Sequence, residues 1–109
     1  MKLHLGEFEE IVLLLVAAHD NDAYGLSIAN AIEKDLDRKV TLSSVHTALY
    51  RMEEKGYLES EVGGATNERG GRSKRIFKIT SLGRQALESS RQTRNMLWDK
   101  IQKPSYNDL

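Results

Sequence analysis

The spacing of the apolar residues changes at Gly56, and this change constrains the fold more than any other feature of the sequence. Before it, apolar residues recur at the three- and four-residue steps of an α-helix. Three segments have this spacing: residues 6–19, which are apolar on most sides, 24–36 and 44–55. After Gly56, apolar and polar residues alternate over 57–62, and Phe77 and Ile79 share one face of a second strand at 75–80. With a last helix from about residue 81, the sequence predicts a mainly α fold with a small β-hairpin.

The third helical segment, residues 44–55, has clear boundary signals at both ends. Ser43 or Ser44 can cap its N-terminus with a hydroxyl oxygen, and Gly56 can end it in the left-handed conformation. Its apolar residues form an inward face: Val45, Ala48, Leu49 and Met52. Four side chains remain on the outward face or at its margin: His46, Thr47, Tyr50 and Arg51.

Three short helices followed by a hairpin are typical of a winged helix-turn-helix, in which the hairpin is the wing. The second helix of the helix-turn-helix pair enters the major groove of DNA, and its N-terminal residues reach the base edges. We therefore predict DNA contacts from six residues of the third helix and its N-terminal cap: Ser43, Ser44, His46, Thr47, Tyr50 and Arg51. Two alternatives remain open: Tyr50 packs against the wing, and His46 is an exposed residue without a role.

The charge of the chain is zero overall but is unevenly distributed along it. Residues 1–37 hold two basic and eight acidic residues, a net charge of −6, whereas residues 38–109 hold fourteen basic and eight acidic residues, a net charge of +6. A Gly-rich loop and the returning strand carry four predicted DNA contacts: Arg69, Arg72, Lys74 and Arg75. Such a basic finger can contact the phosphate backbone or the minor groove. The alternative is a solvated loop whose charges only confer solubility.

Other classes of function lack the residues that they require. The chain has no cysteine, so it has neither disulfides nor thiolate metal sites. Its three histidines lack metal-ligand spacing, and no Gly-rich phosphate loop opens a helix after a strand, which argues against an enzyme. The longest apolar run, residues 11–18, has eight residues, whereas a membrane span needs about 20. We therefore expect a cytoplasmic protein with no cofactor, no metal and no membrane contact.

The C-terminal helix, predicted over residues 81–103 and followed by a tail at 104–109, carries scattered apolar residues. They are too few for the core face of a monomer, and an exposed Trp beside Leu is a good interface anchor. Five side chains are predicted to form the interface of a homodimer: Leu87, Arg94, Leu97, Trp98 and Ile101. The alternative is that this helix only covers the first helix of its own chain. The rest of the chain, residues 1–80, is predicted to form the winged helix-turn-helix unit.

Four segments within residues 3–88 carry the motifs of one protein family. They are LGEFEEIVLLLVA, AYGLSIANAIE, LYRMEEKGYLES and GGRSKRIFKITSLGRQAL. With these segments in this order, the sequence resembles the PadR family of bacterial transcription regulators, in its compact subfamily with a single C-terminal dimerisation helix. The resemblance implies a winged helix-turn-helix homodimer that binds an inverted-repeat operator on double-stranded DNA, usually represses nearby genes and often responds to a small molecule.

The resemblance also implies that residues 44–55 are the recognition helix and residues 57–80 the wing. The family usually reads T-L-Y-P at the start of this helix, where the present sequence has Ser44, Val45, His46 and Thr47, so we expect a different operator. Because family members are often released by ligands, a small hydrophobic effector in contact with Trp98 and Met96 is a further hypothesis. The alternative function is a winged-helix module that binds another protein and not DNA.

Overall fold

The computed structural model describes residues 5–20, 22–63 and 74–101. Within these ranges the chain forms four helices and one antiparallel hairpin: α1 Glu7–His19, α2 Gly25–Leu36, α3 Leu42–Glu54, β1 Leu58–Gly63, β2 Lys74–Ile79 and α4 Ser81–Ile101. The predicted order of elements and the predicted fold class are confirmed. No helix in these ranges is both long and apolar enough to span a bilayer. The predicted tail, residues 104–109, lies outside the described residues.

One apolar core joins the helices to the hairpin. Its large, fully enclosed side chains come from α1, α2, α3 and β2: Leu13, Ile28, Ile32, Leu49, Met52 and Phe77. α4 joins this core through its first half, where Ala86 is buried and Leu87 is partly buried. Every residue from 91 to 101 is exposed. The second half of α4 therefore lacks the packing that holds the first half in place.

α1 is less enclosed than its apolar sequence predicts. Val12, Leu13 and Val16 are buried, but Leu14 is 50% exposed. The reason is that α4 covers only part of the neighbouring surface, so that Leu14 borders a groove between α1 and α4 together with Trp98. One residue of the long apolar run thus faces a groove and not the core.

α3 begins two residues earlier than predicted, and the prediction that Ser43 or Ser44 caps it is wrong. The cap is Thr41, whose Oγ1 accepts a hydrogen bond from the Ser44 amide at 3.0 Å, while the Ser44 hydroxyl donates to the Thr41 carbonyl at 2.8 Å. Thr41 has the extended backbone that an N-cap requires. Ser43 and Ser44 consequently lie inside the first turn. Gly56, with φ of 85°, ends the helix as predicted.

The hairpin docks on the helices through one of its faces. Its register places three cross-strand pairs on that face: Leu58–Ile79, Ser60–Phe77 and Val62–Arg75. Leu58 and Phe77 are buried there. The Phe77 amide also donates to the Ala23 carbonyl at 2.8 Å, just before α2. The hairpin is therefore fixed relative to the start of α2.

Candidate nucleic-acid interface

The outward side of α3 is defined by the buried residues on its opposite side. Its inward face is buried as predicted: Val45, Ala48, Leu49 and Met52. The 3.6-residue period then places Ser43, Thr47 and Tyr50 opposite this face, and all three side chains are exposed. Ser44 and Arg51 are exposed on one flank. The structure thus brings five of the six predicted residues of α3 onto one solvent-facing surface.

His46, the sixth, lies on the other flank of α3 and packs against α2. Its imidazole is half-buried and occupies the space above Gly25, where a Cβ would overlap Nε2. The glycine is therefore needed for the close approach of the two helices. The Nε2 edge faces Gly25, which leaves Nδ1 as the ring nitrogen farther from α2. His46 is accordingly a packed residue at the edge of the surface and not a fully exposed one, and its role in DNA binding stays a prediction.

Tyr50 packs against the wing while it remains part of the exposed surface. Its ring meets Phe77 of β2 edge-on, with 5.8 Å between centroids, and it lies 6.1 Å from the His46 ring. The side chain is nevertheless 45% exposed. The wing packing that the sequence left as an alternative is therefore present, and it fixes the orientation of a phenol on the outward face.

A groove between α2, α3 and β2 contains residues that the sequence analysis missed as site residues. Its walls are the start of α2 (Tyr24, Gly25, Leu26), one flank of α3 (Leu42, His46, Tyr50) and the start of β2 (Lys74, Arg75, Phe77). The Lys74 ammonium lies 4.2 Å from the centroid of the Tyr24 ring, a cation–π contact. His46, Tyr50, Lys74 and Arg75 of this groove were predicted as site residues, whereas its other lining residues were not: Tyr24, Gly25, Leu26, Leu42 and Phe77.

Of the four predicted wing contacts, Lys74 and Arg75 lie within the described residues, and both are exposed. Arg75 donates to the Ser60 hydroxyl at 3.0 Å, and this hydroxyl donates to the Glu53 carboxylate at 2.6 Å. Arg75 is therefore held against β1 by Ser60 and is linked through Ser60 to Glu53 of α3. Lys74 has its contact with an aromatic face and keeps its positive charge at the surface. The other two predicted contacts, Arg69 and Arg72, lie outside the described residues.

α1 begins with three glutamates, and each of them pairs with a cation from another part of the chain. The pairs are Glu7–Arg38 at 3.1 Å, Glu9–Lys55 at 3.0 Å and Glu10–Arg94 at 2.6 Å. The Glu10 carboxylate raises the pKa of Arg94, chiefly by its hydrogen bond and next by its charge. Part of the negative charge of residues 1–37 is thus neutralised within the molecule. Arg94, predicted at a dimer interface, contacts Glu10 of its own chain.

The five predicted interface residues of α4 lie along one side of the helix. A groove of about 640 Å³ between α1 and α4 is lined by Leu14, Leu87, Arg94 and Trp98, among others. A second, shallower groove continues it along Arg94, Leu97, Trp98 and Ile101. Trp98 is 59% exposed. Met96 is two positions before Trp98, which is about half a turn round α4, so it lies on the opposite side of the helix.

The sequence matches the Transcriptional regulator PadR-like family over residues 12–89, from α1 into the first half of α4. The chain belongs to this family. The resemblance predicted from the sequence motifs is therefore confirmed, and this PadR-like chain has the winged helix-turn-helix fold, with α2 and α3 as its two helices and the hairpin as its wing. No curated protein matches the chain.

Several solved structures are similar to this PadR-like fold. A PadR-like transcription factor from Bacteroides fragilis has a TM-score of 0.73 at 19% identity, covering 87% of this chain and 86% of that chain. A PadR-like transcriptional regulator from Bacillus cereus has a TM-score of 0.69 at 21% identity, with 87% of both chains covered. Bacillus subtilis PadR, in complex with operator DNA, has a TM-score of 0.63 at 15% identity, covering 75% of this chain and 45% of that chain.

Proposed function

We propose that this PadR-like protein is a sequence-specific transcription repressor that binds an inverted-repeat operator as a homodimer. One observation carries the proposal: the exposed face of α3 and the cations Lys74 and Arg75 of β2 border the same surface. A helix with polar outward residues fits the major groove, and cations at its side fit the phosphate backbone. The complex of Bacillus subtilis PadR with operator DNA supports this proposal.

The recognition helix supplies the choice of sequence in this proposal. Thr47 and Ser43 lie at the centre of the outward face and can donate to or accept from base edges. Arg51, on the flank, can donate two hydrogen bonds to a guanine or one to a phosphate. His46 contributes at the margin through Nδ1, because its Nε2 edge faces Gly25.

The homodimer is proposed because the second half of α4 is exposed in the single chain. Residues 91–101 are exposed along three turns of helix, and an isolated helix of that length is marginal in water. Leu97, Trp98 and Ile101 are each about half exposed or more. Exposed apolar side chains grouped in this way are typical of a protein–protein interface. A twofold-symmetric dimer would present two recognition helices to the two halves of an inverted repeat.

The alternative is a winged-helix module that binds another protein. The observation against it is the exposed Lys74 beside a polar recognition face, a combination suited to a polyanion. An electrophoretic mobility shift at increasing salt separates the two functions, because counterion release makes DNA binding steeply dependent on salt. A protein that shifts no DNA at low salt would favour the alternative.

Replacement of Lys74 by alanine should weaken binding to all DNA sequences alike. Each phosphate contact that is lost lowers the slope of log affinity against log salt by about 0.9, and a dimer loses one contact from each wing. The measurement is a fluorescence anisotropy titration at several salt concentrations. Lys34→Ala, which removes the same charge from an exposed position in α2, is the matched control and should leave the slope unchanged. Equal slopes for Lys74→Ala and wild type would mean that Lys74 touches no phosphate.

We further propose that a flat hydrophobic effector binds near Trp98. The groove between α1 and α4 presents the apolar side chains of Leu14, Leu87 and Trp98, which suit a planar aromatic ring. Its two carboxylates are already paired, Glu10 with Arg94 and Glu88 with Arg91. Met96 lies on another side of α4, so the proposal rests on Trp98.

The cheapest probe of this site is the fluorescence of Trp98, because the chain has a single tryptophan. Titration of the protein with 9-aminoacridine in the absence of DNA should quench this fluorescence saturably. Fluorescence that is indifferent to the compound would leave Trp98 as an anchor of the dimer alone.

A further inference from the structure

Two leucines on the proposed DNA-binding surface are exposed where a polar residue would be expected. Leu42, the first residue of α3, is 43% exposed, and Leu26, in the first turn of α2, is 52% exposed. Both border the groove that also contains His46 and Tyr50. Neither belongs to the buried core, so the fold does not require them to be apolar.

The position of Leu42 on α3 brings it to the part of a recognition helix that reaches base edges. It precedes His46 by one turn, on the flank that faces α2. Helix-turn-helix proteins contact bases with the N-terminal residues of the second helix. The groove is apolar at Leu42 and Leu26 and cationic at Lys74 and Arg75, which matches a partner that has an anionic backbone and isolated apolar groups.

The chemistry of the major groove narrows what such a leucine can recognise. Purine edges and cytosine present hydrogen-bond donors and acceptors, and a leucine can pair with none of them. The apolar group on the major-groove edge is the C5-methyl group of thymine. We propose that Leu42 reads a thymine in each half-site by contact with this methyl group, with Leu26 on the other side of the groove. This inference rests on the proposed function.

The test removes the methyl group and nothing else. The operator is first selected by the wild-type protein from random DNA, and each thymidine of a half-site is then replaced singly by deoxyuridine. At one position we expect affinity to fall about fourfold per half-site, or about fifteenfold when both half-sites are changed, from the burial of one carbon. Binding is measured by fluorescence anisotropy with the full-length protein.

Variants of the protein assign the effect to Leu42. Leu42→Ala and Leu42→Gln should bind both forms of the operator equally, and the second variant keeps the length of the side chain. Leu36→Ala is the matched control, because Leu36 is 47% exposed at the other end of α2, and it should keep the full preference for thymidine. Thermal unfolding monitored by circular dichroism verifies that each variant is folded.

The outcomes separate this inference from the proposed function. An operator that binds equally well with deoxyuridine at every position, or a preference that persists in Leu42→Gln, overturns the inference and leaves the repressor function standing. A wild-type protein that selects no sequence at all overturns the proposed function, and the reading of thymine falls with it.

Discussion

Replacement of Trp98 by alanine is expected to convert the proposed dimer into a monomer and to lower operator affinity by a factor of about 100 to 10,000, because a monomer loses the effective concentration that links two half-sites. Trp98 is 59% exposed in the single chain, so its removal should change the stability of the folded unit little. In the proposed dimer both copies of Trp98 would be buried at the interface, and truncation of such an anchor costs about 2–4 kcal/mol per copy.

Sedimentation at micromolar concentration measures this effect directly. The wild type should sediment at twice the chain mass of 12.3 kDa, and Trp98→Ala at the mass of one chain. Met96→Ala is the control, since Met96 is 54% exposed on a different side of α4, and this variant should remain dimeric. A wild-type monomer that binds an inverted repeat tightly would contradict the dimer.

Replacement of Phe77 by alanine is expected to lower the free energy of unfolding by about 3–5 kcal/mol. Phe77 is 2% exposed and is among the largest fully enclosed side chains of the core. Its ring also supports Tyr50, so the loss should loosen the wing against α3. A change of this size is a large fraction of the usual stability of a small domain, about 5–15 kcal/mol.

Urea denaturation followed by circular dichroism gives the free energy of unfolding for this comparison. Val62→Ala is the matched control on the same face of the hairpin, because Val62 is 57% exposed. Its cost should stay within about 0.5 kcal/mol, as for most surface positions. A Phe77→Ala variant as stable as the Val62→Ala variant would show that the hairpin does not depend on its core contact.

The core face of α3 could be predicted from sequence because its signal is local. Val45 and Leu49 are four residues apart, and a helical period places them on one side whatever surrounds the helix. The start of α3 could not be predicted in the same way. Thr41, Ser43 and Ser44 all carry a hydroxyl that can cap a helix, and the choice among them depends on the extended backbone at Thr41.

Sequence periodicity could not predict contacts between segments that are distant along the chain. The contact of His46 with Gly25 requires the packing of α2 on α3. The pair between Glu10 and Arg94 joins residues 84 positions apart. Leu14 is exposed because α4 covers only part of α1. One residue of an apolar stretch that the sequence assigns to the core therefore lines a groove.

The selection of bound sequences from a pool of random double-stranded DNA tests the central claim most directly. The wild-type protein should enrich an inverted repeat whose half-site centres lie about 34–36 Å apart, one turn of DNA, or a multiple of this distance. Thr47→Ala, altered at the exposed centre of α3, should enrich a repeat that is relaxed at one base pair of each half-site, by about 1–3 kcal/mol. A pool that stays unenriched with the wild-type protein, or the same repeat enriched without change when the outward face of α3 is altered, would contradict DNA reading by α3.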